Sequence, residues 1–139
     1  MKLNYDCVRD VLLALEESLT IDVEDDGDYS YNSLLSNEII QLDRLSKYSK
    51  KDIIYSVLKL IEAGYLNGDI YNEGDGLISF CVNDIKYKGH EFLQAIKSDT
   101  VWEDVKKITI KIGSISLPII SSIASNVISK LISNAMGML

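Results

Sequence analysis

Histidine occurs once in this chain of 139 residues, at position 90, and this restricts the chemistry that the chain can perform. A metal centre built on histidine needs further ligands, and a Ser-His-Asp triad needs a nucleophile paired with the histidine. No motif in this sequence supplies either. P-loop and dinucleotide glycine motifs are also absent from the sequence. His90 follows Gly89 near the start of a predicted helix, where we expect it to pack against Trp102 or to bond a backbone carbonyl. We therefore predict a non-enzymatic protein with no catalytic residues and no cofactor.

The two cysteines, Cys7 and Cys81, lie in no paired metal or redox motif. Cys7 belongs to a helical apolar stripe and Cys81 to a strand, so both are expected to be small buried hydrophobes in a reducing compartment. A Cys7–Cys81 disulfide is the alternative. The N-terminal residues carry charges where a secretory signal needs an apolar run, which predicts a cytoplasmic location.

A carboxylate-rich segment, residues 22–28, has some of the spacing of a calcium-binding loop. Position 12 of that loop needs a bidentate Glu but is Ser33 here, so we predict no metal site. A solvated acidic turn is one interpretation, and a surface that imitates a phosphate backbone for a basic partner is another. A hairpin is also predicted from the runs YLNGDIY and LISFCVN, at residues 65–71 and 77–83. Its acids and those of residues 22–28 form one predicted protein-binding patch, which comprises Asp22, Glu24, Asp25, Asp26, Asp28, Asp69, Glu73 and Asp75.

Basic residues cluster between positions 42 and 63, which hold five Lys or Arg and three acids. Phosphate contacts need such a cluster. The acids of the second hairpin and the charge of −11 on residues 1–104 oppose DNA binding, since both would repel phosphates. The DNA-binding candidates are Arg44, Lys47, Lys50, Lys51, Tyr55 and Lys59.

The elements that would position these residues follow a recognisable order. Apolar spacing predicts a helix over residues 5–18 capped by Asn4, a hairpin around Gly27, a short helix near 42–47, and a helix over 49–63 that ends at Gly64. Two strand-like runs then form a hairpin, and helices follow over about 86–97 and from Asp99. A helix, a short helix, a longer helix and a hairpin indicate a winged-helix domain. We predict an α+β fold, mostly α, with a small β-hairpin wing and a C-terminal helical extension.

The last 35 residues differ from the rest because they contain four lysines and no acid. We predict an acidic winged-helix domain over residues 1–104 and an extension over 105–139, with a connector at 113–118 and an amphipathic helix at about 118–136. A transmembrane anchor or a surface-bound helix would need fewer serines or more cations, respectively. The favoured interpretation is a homodimer through Ile120, Ile123, Val127, Ile128, Leu131 and Ile132.

Three stretches resemble a family of small phage- and prophage-related proteins of unknown function. They are YDCVRDVLLALEE, IIYSVLKLIEAGYLNG and IKYKGHEFLQAIKSDTVWEDVKK, and the GHEFL and DTVW motifs of the third, at residues 89–93 and 99–102, look like the family's signature. The chain has Ile85 and Lys86 where the family would have Leu and Thr. The resemblance implies a winged-helix-like fold, a mobile-element origin and a bacterial host, and it supplies no catalytic residues.

Three functions of a binding protein stay open at the level of sequence. The first is a transcription-type regulator that dimerises through its C-terminal helix. The second is an acidic protein-binding factor, such as an inhibitor or anti-defence protein that imitates DNA. A membrane-acting effector is the third, and no small-molecule substrate is predicted.

Overall fold

A computed structural model describes residues 1–113 and 115–137. The fold is α+β and mostly helical, with two small antiparallel sheets. Its elements are α1 (Tyr5–Ser18), β1 (Thr20–Val23), β2 (Tyr29–Asn32), β3 (Leu34–Leu35), α2 (Ser36–Ile39), a 3-10 turn (Asp43–Leu45), α3 (Lys50–Glu62), β4 (Leu66–Gly74), β5 (Leu77–Ile85), α4 (Tyr87–Ile96), α5 (Asp99–Ile112) and α6 (Leu117–Ala135). The chain separates into two compact units, Met1–His90 and Glu91–Leu139.

Helix α1 is the central element of the first unit. The Asn4 side chain accepts a hydrogen bond from the amide of Cys7, as predicted, and so satisfies one of the free donors of the first turn. Every residue from Cys7 to Leu15 is buried, including the charged Arg9 and Asp10. The helix packs against α3, the 3-10 turn and β5.

Helix α3 begins and ends where the sequence predicted. The Ser49 hydroxyl accepts a hydrogen bond from the Asp52 amide at 3.1 Å, and the chain leaves the helix through Gly64 at a φ of +82°. Its buried face comprises Ile53, Ser56, Val57 and Leu60. The short helix predicted at 42–47 is the 3-10 turn.

Strand β5 is the centre of a three-stranded antiparallel sheet with the order β3-β5-β4. The hairpin β4–β5 turns through Asp75 and Gly76, and bulges interrupt its ladder near Gly68 and Gly74. The predicted hairpin at residues 20–32 is also present, as the separate sheet β1–β2. The two-residue strand β3 was not predicted, because so short an element has no periodicity to detect.

Gly89, in the predicted family signature, lies where α4 meets the backbone after α3. A Cβ atom at this position would lie 2.2 Å from the Tyr65 carbonyl oxygen and 2.7 Å from Cγ2 of Ile85. The Lys86 amide donates to that same carbonyl at 3.0 Å, which fixes the approach. Glycine is therefore required by close backbone contact.

The second unit contains α5 and α6, which pack against each other. Ser98 caps α5, one residue before the predicted Asp99, and Gly113 ends it at a φ of +75°. Ser116 caps α6, with Pro118 in the first turn as predicted. Ser114, in the predicted connector, lies outside the described residues. The charge boundary expected at residues 104/105 falls within α5, while the compact units divide between His90 and Glu91.

We predict that Gly89→Ala lowers the free energy of unfolding by about 1–3 kcal/mol, because the added methyl overlaps a backbone carbonyl that has little freedom to move. The sign of this change tests the contact, because a glycine-to-alanine substitution within a helix otherwise raises the free energy of unfolding by roughly 0.5–1 kcal/mol. Urea denaturation measures the change. Gly76→Asn is the control, because position 76 has open space and Asn tolerates positive φ. A stabilised Gly89→Ala protein would contradict the contact.

Candidate functional site

The predicted basic surface is held by a buried carboxylate on α1. Asp10 is 7% exposed and accepts a hydrogen bond from the Tyr48 hydroxyl at 2.5 Å. Lys47 Nζ lies 3.3 Å from the same oxygen of Asp10, and an Arg44 nitrogen lies 4.0 Å from the other. Arg44 also pairs with Glu17 at 2.5 Å. Two predicted DNA contacts, Arg44 and Lys47, are therefore counter-ions of α1 carboxylates.

Tyr48 is the neutral member of this cluster. Burial is the main cause that raises the pKa of its hydroxyl, and the hydrogen bond to the Asp10 carboxylate raises it further. Below this raised pKa the phenol keeps its proton and donates a hydrogen bond to the Asp10 carboxylate. The cluster therefore joins α1 to the segment before α3 by a charge-assisted hydrogen bond as well as by ion pairs.

The remaining predicted DNA contacts lie on α3. Lys59 pairs with Glu62 at 2.8 Å and lies 5.4 Å from the centre of the Tyr55 ring. The hydrogen bond to Glu62 is the main cause that raises the pKa of Lys59. Lys50 and Lys51 are exposed, and neither forms an ion pair within the described ranges. Two of the five predicted cations are thus left unneutralised by a neighbouring carboxylate.

The predicted acidic patch occupies two exposed hairpins of the first unit. All five of its acids between residues 22 and 28 are exposed, as are Asp69, Glu73 and Asp75 on the β4–β5 hairpin. Local hydrogen bonds order part of the set, because the Asp26 carboxylate accepts from the Asp28 amide at 3.0 Å and Glu73 accepts from the Ser79 hydroxyl at 2.5 Å. Between residues 66 and 85 the β4–β5 hairpin has no Lys or Arg.

Exposed apolar side chains accompany these acids, and the sequence interpretation missed them. Every residue of β1 and β2 is exposed, so no residue of this hairpin belongs to the buried core. Alternation along a strand normally predicts one buried face, which is why the exposure was not expected. The exposed set is Ile21, Val23, Tyr29 and Tyr31 on the first hairpin and Ile70, Tyr71, Leu77 and Ile78 on the second.

A cavity of about 220 Å³ lies in the first unit, beside the C-terminal end of α1. Apolar side chains of Leu15, Leu19, Ile21 and Ile85 line it, and Glu16, Asp84 and His90 are among its polar lining. The charge of Asp84 is the main cause that raises the pKa of Tyr31. Oδ1 of Asp84 is buried without a hydrogen-bond partner in the described part of the chain. No sequence motif or residue spacing predicted a role for Asp84, because the residues around it are distant in sequence.

Cys7 and Cys81 are buried and unpaired, so the predicted thiols are confirmed. Burial raises the pKa of the Cys7 thiol and makes it unreactive. Cys81 Sγ lies 3.5 Å from the Tyr71 hydroxyl and 3.9 Å from the Asp69 carboxylate. Within residues 1–113 and 115–137, no three His, Cys, Asp or Glu side chains come close enough together to hold a metal ion.

The predicted dimerisation stripe on α6 is divided into two parts. Ile120 and Ile123 are 0% and 8% exposed, and so they belong to the interior of the chain. Val127 and Ile128 are partly exposed, whereas Leu131 and Ile132 are 43% and 51% exposed. Of the helices that the structure describes, none has the length and apolar character needed to cross a membrane.

We predict that Tyr48→Phe lowers the free energy of unfolding at pH 7 by about 1.5–3 kcal/mol, the range for hydrogen bonds to charged groups. Because the folded state raises the pKa of Tyr48 above its ordinary value of 10.0, this stabilisation is complete below about pH 10 and is lost as the pH rises further. The difference in stability between the two proteins should therefore narrow as the pH rises above about 10. Chemical denaturation between pH 7 and 11 measures both effects.

Tyr55→Phe is the matched control, because Tyr55 is only partly buried on α3 and its hydroxyl forms no side-chain hydrogen bond with any residue that the structure describes. It should leave stability within about 0.5 kcal/mol of the unsubstituted protein at every pH. A constant difference between the Tyr48→Phe protein and the unsubstituted one from pH 7 to 11 would contradict the role of the Tyr48 proton.

Comparisons with known proteins give one family model and one relative, and neither description names an activity. An uncharacterized protein of Haemophilus influenzae is 29% identical over 134 residues, which cover 95% of this chain and 99% of that protein. No solved structure matches the chain. A family model described as "Hypothetical protein (DUF2513)" matches residues 2–116, and the chain therefore belongs to the DUF2513 family.

Proposed function

We propose that this chain is a non-catalytic winged-helix protein that acts by binding, and that its partner is a protein with a basic surface. The observation that carries the proposal is the neutralisation of the predicted DNA contacts. Arg44, Lys47 and Lys59 each pair with a carboxylate of the same chain. The acids of the two hairpins are exposed instead.

Support for the winged-helix assignment comes from topology. In that fold a first strand, placed between helices one and two, pairs with the last strand of the wing. Here β3 lies between α1 and α2 and pairs with β5, and the sheet order is β3-β5-β4. Helix α3 takes the place of the recognition helix and β4–β5 that of the wing.

Charge favours a protein partner over DNA. A wing that follows the DNA backbone would bring Asp69, Glu73 and Asp75 close to phosphates, and Arg44, Lys47 and Lys59 would have to leave their own carboxylates to reach them. A basic protein surface meets neither obstacle. The exposed apolar side chains of the hairpins add contact area that a phosphate backbone could not use. The acidic hairpins thus suit a partner whose surface combines Lys or Arg with apolar residues.

A transcription-type regulator is the second candidate function. It is favoured by Lys50 and Lys51, which are exposed at the start of α3, where a recognition helix enters the major groove. The phage or prophage origin, the anti-defence role and the cytoplasmic location implied earlier remain predictions. A membrane-acting effector has the least support, since the tail carries few cations for a surface helix.

We predict that the protein binds duplex DNA more weakly than about 10⁻⁴ M at physiological salt, the upper end of ordinary non-specific affinity. Fluorescence anisotropy with a labelled duplex at low and moderate salt measures this. Binding that falls steeply with salt and disappears in a Lys50→Glu, Lys51→Glu protein would instead establish the regulator.

The protein partner is tested by capture on the immobilised chain from its native host. Retention should be lost when Glu24, Asp25, Asp28 and Asp75 are changed to the corresponding amides, because those changes remove charge and keep shape. The Lys50→Gln, Lys51→Gln protein is the control and should retain the partner. A partner held equally by all three proteins would argue against the acidic hairpins.

A homodimer through the C-terminal half of α6 is the quaternary state we propose. Leu131 and Ile132 are half exposed, and Met136 is 68% exposed one turn further on. Large apolar side chains grouped on one helix in this way are typical of a contact surface. Ile120 and Ile123 are buried, so they are not part of this proposed interface.

We predict that Leu131→Glu with Ile132→Glu yields a folded monomer, since two buried carboxylates are incompatible with an apolar interface. Sedimentation velocity measures the mass and circular dichroism the helix content. Ser125→Glu with Ser129→Glu is the control, because both serines are exposed on α6, and it should remain a dimer. An unsubstituted protein that sediments as a monomer at high concentration would overturn the proposal.

A further inference from the structure

The outer edge of β4 has backbone groups that the fold leaves unpaired. In the three-stranded sheet β5 lies at the centre, so β4 has a neighbouring strand on one side only. In an antiparallel ladder every second residue directs its backbone N–H and C=O groups away from the neighbouring strand. From Leu66 to Gly74, no backbone–backbone hydrogen bond other than the pairing with β5 is formed in the described part of the chain. This edge can therefore pair with a further strand.

One face of this edge is acidic. Side chains alternate between the two faces of a strand, so Asp69 and Tyr71 share a face. Glu73 reaches the same face, because it accepts a hydrogen bond at 2.5 Å from Ser79, the residue that pairs with Tyr71. Both carboxylates are exposed, and neither forms an ion pair within the described ranges. A strand added here would complement this face with Lys or Arg side chains.

The opposite face of the edge is apolar. Ile70 pairs with Phe80, and Ile78 lies two residues before Phe80 on the same face. Phe80 is 2% exposed and belongs to the core, whereas Ile70 and Ile78 are 49% and 60% exposed. The apolar face thus continues from the core into solvent beside the unpaired edge. A strand added to β4 would place its own apolar side chains next to Ile70.

We propose that the outer edge of β4 binds an extended segment of a partner protein in which Lys or Arg alternates with apolar residues. The proposal rests on the proposed function, because it describes how the basic partner would be held. Backbone pairing would supply affinity, and the two faces would supply selectivity. A second copy of β4 is a poor occupant. Pairing about Tyr71 would set Asp69 of each copy against Glu73 of the other, and like charges directly opposite each other are destabilising.

A short peptide tests this edge on the full, isotopically labelled chain. The probe is acetylated and amidated, and lysine alternates with valine along it. Two modified probes carry N-methyl groups, one on every lysine and the other on every valine. A strand that is added to one edge pairs through only one alternating set of its backbone groups. N-methylation of that set should block pairing, while N-methylation of the other set should leave it intact.

The expected result is a saturable shift of the backbone amide signals of residues 69–72 with the unmodified probe. One N-methylated probe should bind about tenfold or more weakly, because it loses several hydrogen bonds, and the other should bind with similar affinity. Asp69→Asn with Glu73→Gln should weaken binding about fivefold, because two exposed ion pairs are lost. Asp25→Asn with Asp28→Asn is the matched control, since it removes equal charge from the other hairpin, and it should leave the affinity unchanged.

Two results would contradict strand addition. They are the absence of a saturable shift in these amides and equal affinity for all three probes, which would indicate attraction by charge alone. The comparison of the probes uses the unsubstituted protein, so it does not depend on the folding of a variant. Capture from the native host tests the proposed function separately. A captured partner without probe binding would keep the protein partner and remove the added strand, whereas probe binding without a captured partner would do the reverse.

Discussion

The buried carboxylate of Asp10 is the constraint around which the first unit is organised. A carboxylate at 7% exposure in the middle of an apolar helix is strongly unfavourable unless charges and donors surround it. Tyr48, Lys47 and Arg44 supply them, and all three come from the segment that leads into α3. The position of α3 against α1 therefore depends on electrostatic compensation as well as on the packing of Ile53, Val57 and Leu60. Removal of a donor would weaken this junction more than loss of an ordinary surface ion pair.

This constraint changes the meaning of the basic cluster before α3. By sequence, Arg44 and Lys47 are cations close to a recognition-like helix, which is a pattern typical of phosphate contacts. In the folded unit they compensate acids of α1, so their presence is explained by stability alone. The cations without such a role are Lys50 and Lys51, and two lysines are few for a domain that carries a large negative charge. Acidic hairpins with exposed apolar side chains are the surfaces that internal stability does not explain.

Features set by neighbouring residues were predicted well, while those set by distant contacts were not. Asn4, Ser49, Gly64 and Ser116 mark helix ends through hydrogen bonds or φ angles within a few residues, and each lies where expected. The pairing of Tyr48 with Asp10 joins positions 38 apart, and Ser33 bonds Asn83 across 50. No periodicity encodes such pairs. The cavity was missed for the same reason, because α1, β1, β5 and the start of α4 all contribute to it.

The apolar stripe of α6 is uniform in sequence, but the length of the helix that packs against it decides how much of the stripe is buried. Apolar residues recur along α6 without interruption, which predicts a single continuous interface. Helix α6 has 19 residues and its packing partner α5 has 14, so at about 1.5 Å per residue α6 is longer by roughly 7.5 Å. The first part of the stripe is buried, and the part beyond Ile128 is left exposed. Periodicity identifies which face of a helix is apolar, but the length of its partner decides how much of that face is available for a second molecule.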